Sequence, residues 1–318
     1  MHVGVLGSNF GAFHTRIFRE NPLVQMVRVL GRDREKLQKL AAQTGAQWTT
    51  SLSDILDDPQ VELVDVCLPT PLHAPYVVKA LQKGKHVFCE TPLCTSVEEA
   101  GQILRAAEQS GKRVFVDQFI LFEFPYEFLQ QTTRNASLGK LRALHIHRKT
   151  PPLWGDLSLA TICQNLMIHE LDLVNCILGE PEGIFATGVE GKAGQSHVIA
   201  QLRYPGTLVH VQADSMMPLS HAFCVGYEAI FEEGTIEYFE NGYADRVESS
   251  LELFASKGHE TIPIPEQNCY EKTIAEVLRC VQTGDSGRLT LDGAVVSLKL
   301  ALEIREQASH GKGKSPNE

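Results

Sequence analysis

Val3-Gly4-Val5-Leu6-Gly7-Ser8-Asn9-Phe10-Gly11-Ala12 opens the chain with a short apolar run that breaks into a glycine-bounded loop. The run reads as a buried parallel strand, and the loop leads into a helix. Further β-rich runs follow at residues 23–30, 61–68, 86–89 and 113–116. Helical stretches lie between them at 34–45, 74–83 and 96–110. Glycines stop these stretches, as left-handed caps require. The third opens with Ser96 and Glu99, at capping-box spacing, and stops at Gly111. Strands and helices alternating at this pitch predict βαβ units and a parallel sheet.

Near residue 120 the pattern changes. A helix is expected over 125–133, a strand over 141–149, and an apolar-rich helix over 160–178 that stops at Gly179. Period-two runs follow at 184–189, 197–204, 207–215, 222–231 and 235–239. Turns such as Tyr204-Pro205-Gly206-Thr207 separate them. Two helices, 270–283 and 292–308, close the chain. The fold class is therefore α/β: an N-terminal Rossmann dinucleotide-binding domain over 1–120, then a C-terminal α+β domain over 121–310. The second domain carries an open, mostly antiparallel sheet, and the tail at 311–318 is expected to be disordered.

The chain has 318 residues, with 29 Lys and Arg against 39 Asp and Glu, a formal charge of -10. That balance argues against a nucleic-acid partner and against an anionic membrane surface. None of the 8 cysteines forms a C-x-x-C pair, so no metal site is expected. The N-terminus has no basic segment followed by a long apolar one, and a cytoplasmic location is expected.

Gly7, Ser8, Asn9, Phe10 and Gly11 are the candidate phosphate loop. Small residues let the backbone approach a pyrophosphate, and the following helix N-terminus offers unpaired N–H groups. Asn9 stands where the second glycine of G-x-G-x-x-G belongs, a position at which asparagine tolerates the left-handed conformation. An NAD-binding strand ends in an acid. Here the second strand runs into Gly31-Arg32-Asp33, which removes the carboxylate and supplies a guanidinium. That favours NADP over NAD, with Asp33 as the residue that argues the other way.

The segments Pro69-Thr70-Pro71-Leu72-His73, Gly84-Lys85-His86-Val87-Phe88-Cys89-Glu90-Thr91-Pro92 and Met167-Ile168-His169-Glu170-Leu171-Asp172-Leu173 resemble the glucose–fructose oxidoreductase, inositol dehydrogenase and MocA (Gfo/Idh/MocA) family. The resemblance runs from Val3 to Glu306. It implies an NAD(P)-dependent oxidoreductase acting on a sugar-like small molecule, assembled as a homodimer or homotetramer through its open sheet. It also implies that Pro69, Thr70, His73 and Glu90 lie along the cofactor. The family's catalytic lysine is replaced by Thr91, and the Asp that precedes its helix His by four residues is replaced by Asn165. Both changes remove charge. His169 is then the residue left to exchange a proton.

Arg148 and Lys149 at a strand end, and Trp154-Gly155-Asp156 beyond, are further candidates, with Lys149 the substitute proton source. Tyr126, His145 and His147 are weaker ones. The expected activity is reduction of a sugar-like or other small carbonyl or imine. The alternative is a non-catalytic NADP(H)-binding sensor or scaffold that kept the pocket and lost the chemistry.

Overall fold

The computed structural model describes residues 1–310. The tail expected to be disordered lies outside the described residues. The chain divides into two compact units, Met1–Phe119 with Asn268–Leu298, and Ile120–Gln267 with the chain from Lys299.

The first unit contains β1 (His2–Leu6), α1 (Phe10–Glu20), β2 (Met26–Leu30), α2 (Arg34–Thr44), β3 (Gln47–Thr49), α3 (Ser53–Leu56), β4 (Val61–Val66), α4 (His73–Gln82), β5 (His86–Cys89), α5 (Val97–Ser110) and β6 (Val114–Val116). The six strands pair in parallel in the order β3-β2-β1-β4-β5-β6. That order reverses direction between β1 and β4, and ligands of open α/β sheets bind outside the strand ends at such a point. Leu63, Val64, Asp65 and Val66 are buried in succession, so β4 is covered on both faces. Asp33 caps α2 by accepting from the Lys36 N–H at 3.1 Å, and Ser96 caps α5 from the Glu99 N–H at 3.2 Å.

The second unit contains α6 (Phe124–Asn135), β7 (Leu141–Lys149), a π-helical turn at Cys163–Met167 and α7 (Ile168–Leu178). Then come β8 (Gly183–Glu190), β9 (Ser196–Tyr204), β10 (Thr207–Asp214), β11 (Phe223–Phe231), β12 (Gly234–Gly242), β13 (Val247–Ala255) and β14 (Gly258–Thr261). The sheet runs β14-β13-β12-β11-β7-β10-β9-β8, antiparallel except where β7 pairs with β10 in parallel. One face is buried through Leu144, Ile146, Val211, Ala200, Tyr227 and Ile236. The alternate positions carry His145, Glu228 and the exposed Phe185, Leu208 and Phe239.

The chain closes with α8 (Cys269–Thr283) and α9 (Leu291–His310). Here the structure corrects the expected second domain of 121–310, because α8 belongs to the first unit. The Tyr270 ring packs 5.5 Å from Phe10, 5.3 Å from Phe13 and 4.8 Å from Phe119, covering aromatic surface that α1 presents. Arg113 donates to the carbonyl oxygens of Cys280, Gly284 and Asp285, placing a cation at the carboxyl end of α8. Three differences in the elements have local causes. β3 is only three residues long, β13 and β14 carry Ser, Glu and Lys-flanked positions with Leu251 alone fully buried, and the helix expected from 160 starts as a π turn at Cys163.

Candidate active site

The loop after β1 is built for close approach. Gly7 has φ +114°, and a Cβ there would lie 2.3 Å from the Cys67 carbonyl oxygen. Gly11 brings α1 down onto the strands, since its Cβ would meet Val5 Cγ1 at 2.9 Å. The left-handed freedom expected of Asn9 is not used: Asn9 has φ −91° and is the residue before α1. Its side chain makes no capping bond and instead accepts from Lys36 Nζ. The first turn of α1 holds no acid, so this helix end is open to an anion.

At the end of β2, Gly31 faces Ser8, whose Oγ would lie 3.0 Å from an added Cβ. Arg32, Arg34 and Lys36 are exposed beside it. Asp33, the residue that argued for NAD, is occupied as the cap of α2. These residues fit a dinucleotide: a glycine cradle at β1, an open helix end, and basic groups where the adenosine ribose of such a cofactor would lie.

Pro69 and Thr70 open a short 3₁₀ turn before α4. The His73 ring is buried, with Nδ1 2.8 Å from the Pro92 carbonyl oxygen and Nε2 2.6 Å from that of Leu68. Burial pulls its pKa down, so the neutral ring donates to one carbonyl at a time. His73 thus ties two loops together and leaves their backbone, not its imidazole, to face a ligand. Thr91 is half-buried and precedes the cis residue Pro92. The Glu90 side chain points into a buried cluster with His14, Asp65 and Asp117.

In the second unit, Arg148 and Glu170 form a buried pair, Nε to Oε1 2.8 Å, with side chains 8% and 0% exposed. The guanidinium carbon also lies 5.5 Å from the Phe223 ring centroid. Burial pushes the Glu170 carboxyl up against the opposing pull of Arg148. His169, one residue away on α7, is held well below its ordinary pKa by burial and by the Arg148 charge. Its imidazole is therefore neutral at pH 7.

Asn165 is exposed on the π turn one turn before His169, and π turns recur at functional sites. Lys149 ends β7 beside Asp214 of β10 and Cys224 of β11. Asp214 is engaged by the His197 ring at 2.7 Å. Trp154 is 61% exposed, with its ring 6.2 Å from Phe223.

Three weaker candidates resolve differently. Tyr126 is fully buried between Tyr227 and Tyr238 and belongs to the core. His147 is driven down to about 4 by burial and the neighbouring Lys149 and Arg148 charges. His145 lies on the exposed sheet face, 5.8 Å from the His210 ring.

Sequence reading missed two arrangements. The Arg148–Glu170 pair joins residues 22 apart in sequence; both positions lie in segments singled out there, but nothing in their spacing pairs them. The His14 cluster did leave a trace: Asp65 interrupts an apolar strand, and Asp117 directly follows another.

Comparison with known proteins agrees with the fold and the loop. Residues 1–118 match the family model described as GFO_IDH_MocA, oxidoreductase family, NAD-binding Rossmann fold. The chain is 28% identical over 183 residues to inositol 2-dehydrogenase 3 of Saccharopolyspora erythraea, covering 57% of this chain and 54% of that protein. The match therefore spans only about half of that relative's length. It is 21% identical over 322 residues to 1,5-anhydro-D-fructose reductase of Ensifer adhaerens, covering 91% and 93% of the two chains.

Among solved structures, UDP-N-acetylglucosamine 3-dehydrogenase GnnA of Acidithiobacillus ferrooxidans superposes with a TM-score of 0.83 at 20% identity, covering 98% of each chain. At that identity the likeness speaks for the fold. No helix among the described residues is long and apolar enough to cross a membrane. Through its glycine loop, its 3-2-1-4-5-6 parallel sheet and the match over residues 1–118, the first unit is similar to the NAD-binding Rossmann domain of the Gfo/Idh/MocA oxidoreductase family.

Proposed function

We propose that the protein is an NADP-dependent reductase of a sugar-like or other small carbonyl or imine. The bound cofactor would supply a hydride. The loop Gly7–Gly11 would hold its pyrophosphate, and Arg32 its 2′-phosphate. Among the relatives, an inositol dehydrogenase and an anhydrofructose reductase support a polyol or sugar-derived substrate.

The observation that carries the reductive direction is Thr91. A threonine hydroxyl is far too weak a base to draw a proton from an alcohol at pH 7, whereas reduction needs only a proton delivered. His169 delivers it through the minority protonated form of its imidazole, with Asn165 beside it on the same helical stretch to orient a substrate oxygen. Lys149 is the substitute donor. Steady-state NADPH consumption over a panel of sugar-derived carbonyls tests this reading. The sensor or scaffold alternative is supported by the same loss of the lysine, and it expects tight NADPH binding without turnover.

Cofactor choice is separately measurable. A charge-assisted bond from Arg32 to the 2′-phosphate is worth roughly 1.5–3 kcal/mol, so NADPH should bind about 10–100-fold tighter than NADH. Fluorescence titration of both cofactors reads this directly. Equal affinities, or an unchanged preference in Arg32→Ala, would defeat the assignment.

The exposed sheet face carries Phe185, Leu208, Phe239 and Phe254, apolar side chains that another subunit would cover. We read it as the contact of a homodimer or homotetramer. Light scattering at micromolar concentration should give at least twice the monomer's 35.2 kDa. A mass at the monomer value would count against it.

A further inference from the structure

Four side chains from four separate segments converge at the carboxyl ends of the parallel strands. His14 comes from α1, Asp65 from β4, Glu90 from the residue after β5 and Asp117 from the residue after β6. The side chains of His14, Asp65 and Asp117 are 0% exposed and that of Glu90 is 19% exposed. His14 Nδ1 lies 3.0 Å from Asp65 Oδ2. On the other side of the ring, His14 Nε2 lies 3.3 Å from Glu90 Oε1 and 3.5 Å from Asp117 Oδ2.

This arrangement is short of positive charge. Three carboxylates surround one imidazole, and among the described residues no Lys or Arg forms an ion pair with any of them. Cys67 does not help: burial and Asp65 push its thiol up, and the neutral S–H donates to Asp65 at 3.3 Å. His14 Nε2, Asp65 Oδ1, Glu90 Oε1 and both oxygens of Asp117 are buried, and among the described residues none makes a hydrogen bond of good geometry outside the cluster. Buried polar atoms are seldom left so, and five of them in one cluster call for an occupant. Glu90 Oε1 and Asp117 Oδ2 lie at the Nε2 side of the ring, while Nδ1 is engaged by Asp65.

We propose that this cluster is a binding site for one divalent transition-metal ion of the Zn²⁺ class, held by His14 Nε2, Glu90 and Asp117. Ligands at about 2.0–2.2 Å from such an ion stand about 3.0–3.6 Å from each other, between octahedral and tetrahedral angles. The separations from Nε2 to the two carboxylates fall in that range. Asp65 accepts from the Nδ1 N–H and fixes the tautomer that leaves Nε2 free to ligate, the usual support of a metal-bound histidine. One imidazole and two carboxylates suit Zn²⁺, Mn²⁺ or Fe²⁺. His14, Cys67 and Glu90 also offer ligand atoms within 4.8 Å of one another. The ion would join α1 to the segments that follow β5 and β6, with β4 attached through Asp65. C-x-x-C spacing could not show it, because the donors are at 14, 90 and 117.

The test uses the full chain, stripped with chelator and dialysed against Zn²⁺ and, separately, Co²⁺. One equivalent of Zn²⁺ should bind with a dissociation constant below about 1 μM at pH 7.5, and the melting temperature should rise. Protons compete for all three ligands, so affinity should fall at least about tenfold at pH 6. Bound Co²⁺ should show visible d–d absorption. Asp117→Asn, isosteric and one charge short, should weaken Zn²⁺ at least about 100-fold while keeping the wild-type circular dichroism. The proposal is overturned if wild type takes up none of Zn²⁺, Mn²⁺ or Co²⁺, in which case the carboxylates hold protons only. It is equally overturned if Asp117→Asn and His14→Gln both bind Zn²⁺ as wild type does, since the ion then sits elsewhere.

Discussion

Arg148→Met should destabilise the protein by about 3–5 kcal/mol, because it leaves the carboxylate of Glu170 buried without its partner. The two side chains are almost fully enclosed, and their 2.8 Å hydrogen bond is charge-assisted. The loss should depend on pH. Burial raises the Glu170 pKa in the folded chain, and removing Arg148 removes the main opposing influence, so it rises further. A carboxyl whose folded pKa is raised favours the native state fully below its unfolded pKa, and that advantage disappears as pH climbs through the folded value. The deficit of Arg148→Met should therefore be smallest near pH 4–5 and largest above neutrality. Urea midpoints measured across that range check the sign. Arg148→Met combined with Glu170→Leu should recover much of the loss, since no unpaired charge remains. A single variant as stable as wild type at pH 8 would mean that Glu170 finds another partner.

Replacing His169 by alanine should lower the rate of carbonyl reduction about 10²-fold or more while leaving NADPH affinity unchanged. The pH profile distinguishes a proton donor from a merely structural histidine. Burial and the Arg148 charge hold the His169 pKa well below 6.5, so the acid form is a shrinking minority as pH rises above neutrality. Wild-type kcat for reduction should then fall as pH increases from 6 to 8, and His169→Ala should lose that slope along with the rate. Alcohol oxidation, which lacks a lysine at position 91 to draw the hydroxyl proton, should stay slow over the same range. Thr91→Lys should raise it. If His169→Ala retains the full reduction rate, the imidazole is structural and Lys149 becomes the candidate donor.

The first unit was legible because its signals are local. Consecutive buried apolar positions in β1, β4 and β5, glycine stops such as Gly45 and Gly111, and the Ser96 cap each act within a few residues. The loop was found by its glycines, yet the reading of Asn9 went wrong. Conformational tolerance says what a residue can adopt, whereas here Gly7 takes the positive φ and Lys36 takes the asparagine side chain. The placement of α8 with the first unit was not legible. Its apolar stripe shows that it packs on something, and only the Tyr270 stack shows on what. The edge strands β13 and β14 escaped because a strand with one buried position has almost no hydrophobic alternation to read. The environment of His169 was invisible for a related reason. An ordinary histidine pKa was the only available expectation until Arg148, from a distant strand, was found beside it.

The central claim, that this chain moves a hydride from NADPH to a carbonyl carbon, is tested most directly by isotope transfer. The protein is incubated with NADPH carrying deuterium at the nicotinamide C4 and with a panel of sugar-derived ketones and aldehydes, and products are read by mass spectrometry. The account expects one deuterium on the new carbinol carbon of at least one product, with NADH giving about 10–100-fold less under matched subsaturating conditions, and with His169→Ala giving about 10²-fold less. Stoichiometric NADPH binding with no deuterium in any product would contradict it and leave a cofactor-binding protein without the chemistry.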